Sequence, residues 1–234
     1  YGDVVIAADG VNSLLARKAG LRSELDAHEV AIGVKEVIGL DRRTVEERFN
    51  LSGDDGVTYE FIGSVTGDVY GGGFLYTNRD SLSIGVVTQL ASLAQSRVKP
   101  YDLLEDFKRH PSIEPLIRGG RVKEYSAHLV PEGRVLTRLY TNGLLAVGDA
   151  AGFTLRTGIF LEGMNFAIAS AWAAAEAVKQ AQGDFSRRSL SRYEELLRKS
   201  FVLHDLERFG HATHFLNNPR LQNVYPLTLS LIHI

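Results

Sequence analysis

The sequence predicts an α/β fold, with pieces of a doubly wound domain on either side of a mostly antiparallel β-sheet insert. Three observations predict it. Residues 3–8 (DVVIAA) and 143–147 (GLLAV) are short apolar runs, as buried parallel strands are, and each leads into a Gly/Asp turn and a helical stretch. Residues from about 30 to 139 hold short strand-like runs separated by Gly and Asp/Asn turns. Residues 163–182 are very rich in alanine, the strongest helix former, and small enough to let a helix lie close on a sheet.

In order along the chain, the strand at 3–8 ends at Asp9-Gly10, a turn signal. Asn12 or Ser13 can cap a helix over residues 14–19, with Gly20 as its stop. Runs 31–39 (AIGVKEVIG), 57–62, 71–76 and 81–87 read as strands, several of them alternating apolar with polar. Residues 101–110 predict a helix ended by Pro111, and 122–130 another strand. After the strand at 143–147 come the alanine-rich helix and an amphipathic helical region over 190–215. The expected boundaries are 1–28 for the first segment of the nucleotide-binding domain, 29–142 for the insert, 143–183 for the second segment and 184–234 for a helical end. Both ends look cut. The chain starts on Tyr1, and residues 229–234 (LSLIHI) break the polar, proline-punctuated character of 217–226 and read as a non-native tail.

Of the 234 residues, 44% are hydrophobic and 23% charged, the balance of a globular protein. A net charge of −2 and the lack of a dense Lys/Arg run give no footprint for nucleic acid or an anionic membrane. With no cysteine, this sequence supplies no disulfide, thiolate nucleophile or iron–sulfur ligand. No nucleophile elbow or Walker loop appears, so hydrolase and kinase readings have no support.

The chemistry sits in residues 143–152, GLLAVGDAAG. The buried strand ends at Gly148, where the missing Cβ allows close backbone approach to a ligand. Asp149 offers a carboxylate to ribityl hydroxyls, Ala150 to Gly152 keep the path small, and the helix beginning near Gly163 points free N–H groups and a positive dipole end outward. Such an end suits negative charge on a reduced flavin, so the segment reads as a flavin motif. The plainer alternative is a strand ending in a Gly-Asp turn that caps a helix. The second constellation, Asp9-Gly10 with Arg17 one turn on, is weaker alone and gains from its partner in the same chain.

The segments ADGVNSLLARKAGL, GVKEVIGL, GGGFLYTN, LLEDFKRHP, EYSAHLVPEG and VGDAAGF together resemble the FixC family, bacterial relatives of electron transfer flavoprotein–ubiquinone oxidoreductase. The resemblance implies an incomplete FAD/NAD(P)-binding Rossmann-like domain of the glutathione-reductase/hydroxylase type. It implies an FAD enzyme that takes electrons from a FixA/FixB-type electron transfer flavoprotein. Acceptors would be a ferredoxin-like FixX-type protein or a quinone, with the enzyme cytoplasmic or peripheral at the membrane's inner face. By position it carries over Asp9, Gly10, Gly148, Asp149, Ala150 and Gly152 as flavin contacts. Gly158, Gly163 and Met164 match the loop and helix start beside the isoalloxazine, and Gly71 to Phe74 a strand facing its reactive side. Arg156 stands where the family has Asn, Glu162 where it has Arg, and Asn165 where it often has Asp. The family's strand–GxGxxG–helix, which holds the FAD pyrophosphate, is not in this sequence.

Two other readings stay open: a geranylgeranyl-reductase-like or hydroxylase-like enzyme on the same scaffold, and a non-catalytic partner-binding module. The histidines at 204, 211 and 214 read as ordinary surface or partly buried side chains, not as a metal site. Tyr125 and His128 on the strand at 122–130, and Phe166 and Trp172 on the alanine-rich helix, are expected to pack.

Overall fold

A computed structural model describes residues 2–132, 136–157, 161–212, 216, 218–221, 224, 225, 227 and 228. In chain order its elements are β1 (Val5–Ala7), α1 (Leu14–Lys18), β2 (Val30–Gly39), α2 (Arg42–Phe49), β3 (Thr58–Phe61), β4 (Gly71–Thr77), β5 (Ser81–Gln89), α3 (Leu90–Gln95), α4 (Pro100–Arg109), α5 (Glu114–Ile117) and β6 (Arg121–Pro131). There follow β7 (Tyr140–Thr141), β8 (Leu144–Ala146), β9 (Leu155–Arg156), β10 (Leu161–Glu162), α6 (Met164–Gln180), α7 (Arg187–Leu190), α8 (Arg192–Lys199) and α9 (Phe201–Phe209). These form two compact units, one of residues 1–30 and 130–216, the other of 31–129 and 217–234.

In the first unit, β1 and β8 pair in parallel with Val5 opposite Leu144 and Ala7 opposite Ala146, and β7 closes the other edge of β8 antiparallel. Ala173, Ala174 and Ala177 of α6 are buried in a core with Leu145, Ala146, Phe153 and Phe166, and Leu190, Tyr193, Leu197 and Val202 of the later helices close it. Methyl side chains are what let α6 lie this close. The Tyr193 hydroxyl donates to the Ala146 carbonyl at 2.7 Å inside this core, and burial pushes its phenol well above the usual tyrosine range.

The helical region expected over 190–215 is broken at two serines. Ser191 separates α7 from α8, and the Ser200 hydroxyl accepts from Val202 N–H to start α9. The return from the insert also comes earlier than the expected residue 142. Residues 130–142 join the first unit because Glu132 N–H donates to Glu29 C=O at 2.8 Å, Leu136 N–H to Ala151 C=O at 3.0 Å, and β7 pairs with β8.

The second unit is a five-stranded sheet in the order β3-β4-β5-β2-β6. Helices α2 and α4 cover one face: Val45, Phe49, Leu103, Leu104 and Phe107 pack on Val34, Ile38, Leu75, Leu82, Ile84 and Val86. The sequence reading had no helix at 42–49. Its apolar positions are few, but Asp41 caps it by accepting from Thr44 N–H at 3.0 Å, and Val45 and Phe49 turn inward. Lys108 of α4 reaches Glu36 of β2 and Glu105, each at 2.7 Å, across the edge of this core. β6 lies at the sheet edge, so Tyr125 is half exposed rather than packed.

The glycine run in β4 is a packing requirement. A Cβ on Gly71 would lie 2.2 Å from the Val87 carbonyl oxygen of the neighbouring strand, and one on Gly73 would press on the Phe107 ring at 3.1 Å. Gly71→Ala is therefore expected to destabilise the protein by about 1–3 kcal/mol, the range for overpacking, read as a lower midpoint in urea unfolding. Tyr193→Phe is expected to cost about 1–3 kcal/mol by leaving a buried carbonyl without its donor, measured the same way.

Candidate functional site

The parallel pairing of β1 with β8 brings the two predicted motifs to one end of the sheet. Asp9-Gly10 follows the C-terminal end of β1, and Gly148-Asp149 follows that of β8, with Val147 N–H donating to Ala7 C=O at 3.0 Å. Carboxyl ends of parallel strands are where open α/β sheets bind ligands.

Gly148 to Ala151 form a single 3₁₀ turn closed by Gly152. Gly148 has φ +54, a conformation that favours glycine, and its missing Cβ faces the Ala167 methyl of α6 at 3.1 Å. The space that glycine vacates is thus taken by the helix, not left for a ligand. Gly148 N–H donates to the buried Ser170 hydroxyl at 3.0 Å, and that hydroxyl donates to Ala167 C=O at 3.0 Å. Ala150 is fully buried; its carbonyl and that of Asp149 face Arg22.

Asp149 is half-buried, and its Oδ1 would stand 3.7 Å from a Cβ on Gly163, so the carboxylate lies beside the start of α6. Gly163 provides no side-chain cap to α6, and Met164 at the first helical position is 84% exposed. A carboxylate acceptor beside uncapped helix N–H groups suits a polyol chain ending in an anionic ring edge, which is the chemistry of a flavin's ribityl and pyrimidine parts. Gly158 lies outside the described residues.

Asp9 is placed differently from the reading of its sequence. Its Oδ2 accepts from Leu15 N–H at 3.0 Å and its Oδ1 from the Ser13 hydroxyl at 3.3 Å, so Asp9 caps α1 while Ser13, at φ +34, makes no cap bond of its own. The Cβ direction of Gly10, at φ +71, opens on empty space. Arg17 pairs with Glu24 at 2.7 Å and does not join the strand ends.

The cation that does so is Arg22, which the sequence reading passed over. Its Nη1 donates to the Asp149 carbonyl at 3.2 Å. Burial lowers its affinity for the proton, while the charges of Asp149 and Asp9 oppose that shift. It is thus bound to the backbone of the Gly-Asp turn. No local pattern marks residue 22; it becomes visible only once the two strand ends are adjacent.

Behind the Gly-Asp turn, the Thr154 hydroxyl donates to Pro131 C=O at 2.6 Å, and Arg156 forms an ion pair with Glu132, whose side chain is only 2% exposed. Glu162 accepts from the Asn165 amide at 2.8 Å at the start of α6. All three family departures, Arg156, Glu162 and Asn165, thus have defined local partners. Phe166 is core as expected, but Trp172 is 62% exposed, in line with Met164 and Ile168 on the outer side of α6. His204 pairs with Asp205 at 3.0 Å.

This arrangement is the fold of FAD-dependent oxidoreductases, present in part and joined to a sheet domain. A geranylgeranyl bacteriochlorophyll reductase-like protein from Thermoplasma acidophilum superimposes with a TM-score of 0.73 at 23% identity, over 94% of this chain and 51% of that one. The flavin-dependent halogenase CmlS does so with a TM-score of 0.59 at 21% identity, over 84% of this chain and 34% of the other.

The chain belongs to the FixC family. The family model described as ETF-QO, ubiquinone-binding, matches residues 30–130. The probable electron transfer flavoprotein-quinone oxidoreductase YdiS of Escherichia coli K12 is 47% identical over 228 residues, 96% of this chain and 53% of that protein. FixC of Rhizobium meliloti is 43% identical over 97% of this chain and 54% of its own length. The chain therefore spans about half the length of these relatives.

Two variants test the site's construction. Ser170→Ala leaves the buried Gly148 N–H without an acceptor, and a loss of about 1–3 kcal/mol in chemical unfolding is expected. Arg156→Leu leaves the Glu132 carboxylate in its buried setting without the guanidinium and is expected to cost about 3–5 kcal/mol, whereas Arg198→Leu, on an exposed pair with Glu194 and Glu207, is expected to leave the unfolding midpoint nearly unchanged.

Proposed function

We propose that these residues serve an FAD-dependent electron-transfer oxidoreductase that takes electrons from an electron transfer flavoprotein of the FixA/FixB type and delivers them toward quinone or a FixX-type ferredoxin. The observation that carries this reading is Asp149, held beside the uncapped start of α6 at the end of β8. Asp149 would receive ribityl hydroxyls, and the first N–H groups of α6 would face the pyrimidine edge. Arg22 would fix the turn that presents Asp149 by holding its carbonyl. FAD supplies the redox chemistry when bound, and the protein supplies position and electrostatics.

The family name of residues 30–130 and the name of the 47% identical relative support the quinone side of the reading. Among the described residues no helix is long and apolar enough to cross a membrane. Access to quinone would then be by peripheral contact with the membrane surface.

The test joins this chain to the part of the Escherichia coli relative that it does not cover. The purified hybrid is expected to be yellow, to release FAD on denaturation, and to be bleached anaerobically by reduced electron transfer flavoprotein. A colourless hybrid that FAD reconstitution leaves unchanged would overturn the reading. Asp149→Ala is expected to weaken FAD binding at least tenfold, since a hydrogen bond to a charged group contributes about 1.5–3 kcal/mol, as measured by flavin fluorescence on titration.

A further inference from the structure

In the first unit, residues from 20–29 and 131–138 line a cavity of about 360 Å³, where the chain leaves for the insert and returns from it. Small-molecule sites begin at about this size. Every described residue lining it belongs to the first unit. Asp149, Gly163 and Met164 are not among them, so the cavity is distinct from the space beside the start of α6.

Its walls combine two kinds of group. Leu21, Leu25, Pro131 and Leu136 give it apolar sides, and Arg22 and Arg138 bring two guanidinium groups to it. Each guanidinium holds backbone: Arg22 the Asp149 and Ala150 carbonyls, Arg138 the Gly20 carbonyl at 3.1 Å. Neither forms an ion pair among the described residues. The two carboxylates at the cavity do not offset them, because Glu24 pairs with Arg17 at 2.7 Å and Glu29 has a partner of its own. Burial penalises the Arg22 charge, and the charges of Asp149 and Asp9 offset only part of that penalty. A half-buried cation whose hydrogen bonds go to neutral carbonyls is incompletely compensated, and an oxyanion in the cavity would complete it.

We propose that this cavity binds a small organic carboxylate, with its anionic end on Arg22 and Arg138 and its aliphatic body against Leu21, Leu25, Pro131 and Leu136. A guanidinium presents paired N–H donors that match the two oxygens of a carboxylate. The four apolar side chains gain nothing from free phosphate, whereas an aliphatic chain laid against them leaves water. That difference favours the organic acid over the inorganic ion. Arg22 also holds the Asp149 carbonyl, so an occupant touches the side chain that anchors the Gly-Asp turn. Binding here does not depend on the flavin reading, since no residue assigned to touch the flavin lines the cavity.

The experiment titrates the 234-residue chain calorimetrically at neutral pH with sodium hexanoate, and in parallel with hexanamide, sodium phosphate and FAD. Hexanoate is expected to bind. Hexanamide, which lacks the charge, and phosphate, which lacks the apolar body, are expected to bind at least about tenfold more weakly. Arg22→Gln and Arg138→Gln are each expected to weaken hexanoate about tenfold, the effect of losing a hydrogen bond to a charged group. Arg138 is exposed, so its replacement is expected to leave the circular dichroism unchanged and to serve even where Arg22→Gln fails to fold. No hexanoate binding by the wild-type chain, or binding indifferent to Arg138→Gln and to the amide replacement, would overturn the site. Phosphate bound as tightly as hexanoate would overturn the assignment to an organic acid. Hexanoate displaced by FAD would overturn the separation of this cavity from the cofactor, while the flavin reading itself would stand.

Discussion

The pairing of β1 with β8 is the contact on which the rest of the first unit depends. It is a short parallel pairing between residues 5–7 and 144–146, remote in sequence. Its loop-closure cost grows only slowly with the length of the intervening chain. A whole sheet domain can therefore sit between the two strands. Once they pair, the Asp-Gly and Gly-Asp turns emerge from the same sheet end, and Arg22 can hold the Asp149 carbonyl. The insert must then leave and return side by side, and the bond from Glu132 N–H to Glu29 C=O marks that place.

The helix behind this sheet is as constrained as the strands. Alanines at 173, 174 and 177 bring α6 against Leu145 and Ala146, and the closeness has to be accommodated at the turn above. Gly148 does so by having no Cβ where Ala167 stands, and Ser170 satisfies the N–H that the turn exposes. The motif glycine thus serves helix packing first, and presentation of Asp149 follows from it. Thr154 and the Arg156–Glu132 pair fasten the next segment to residues 131 and 132, so the backbone on both sides of the turn is held.

In the second unit the division of labour is between two faces of one sheet. Leu75, Leu82, Ile84 and Val86 turn toward the helices and make the core; Gly72, Phe74, Tyr76 and Gly85 turn away. The run Gly71 to Phe74 therefore does not act as one surface. Gly71 and Gly73 permit close strand and helix contact, while Gly72 and Phe74 belong to the open side. A motif read as a unit in sequence is split by the period-two alternation of a strand.

The sequence by itself determined most of the elements, because apolar periodicity, turn residues and alanine content act within a few residues. It placed β2 to β6, β8 and α6 and marked Asp149. It expected one helical region where Ser191 and Ser200 make three helices, and it had no helix at α2, whose apolar residues are few and whose cap, Asp41, acts through a single bond. It expected Trp172 inside, where the structure exposes it, because an alanine helix has no amphipathic pattern to say which side faces the sheet. Only the tertiary structure decided the partners of polar groups: Asp9 to the start of α1, Arg17 to Glu24, Arg22 to the Asp149 carbonyl, Arg156 to Glu132. Such partners depend on which segments meet in space, and in the Gly-Asp site those segments are brought together by the pairing of strands more than a hundred residues apart.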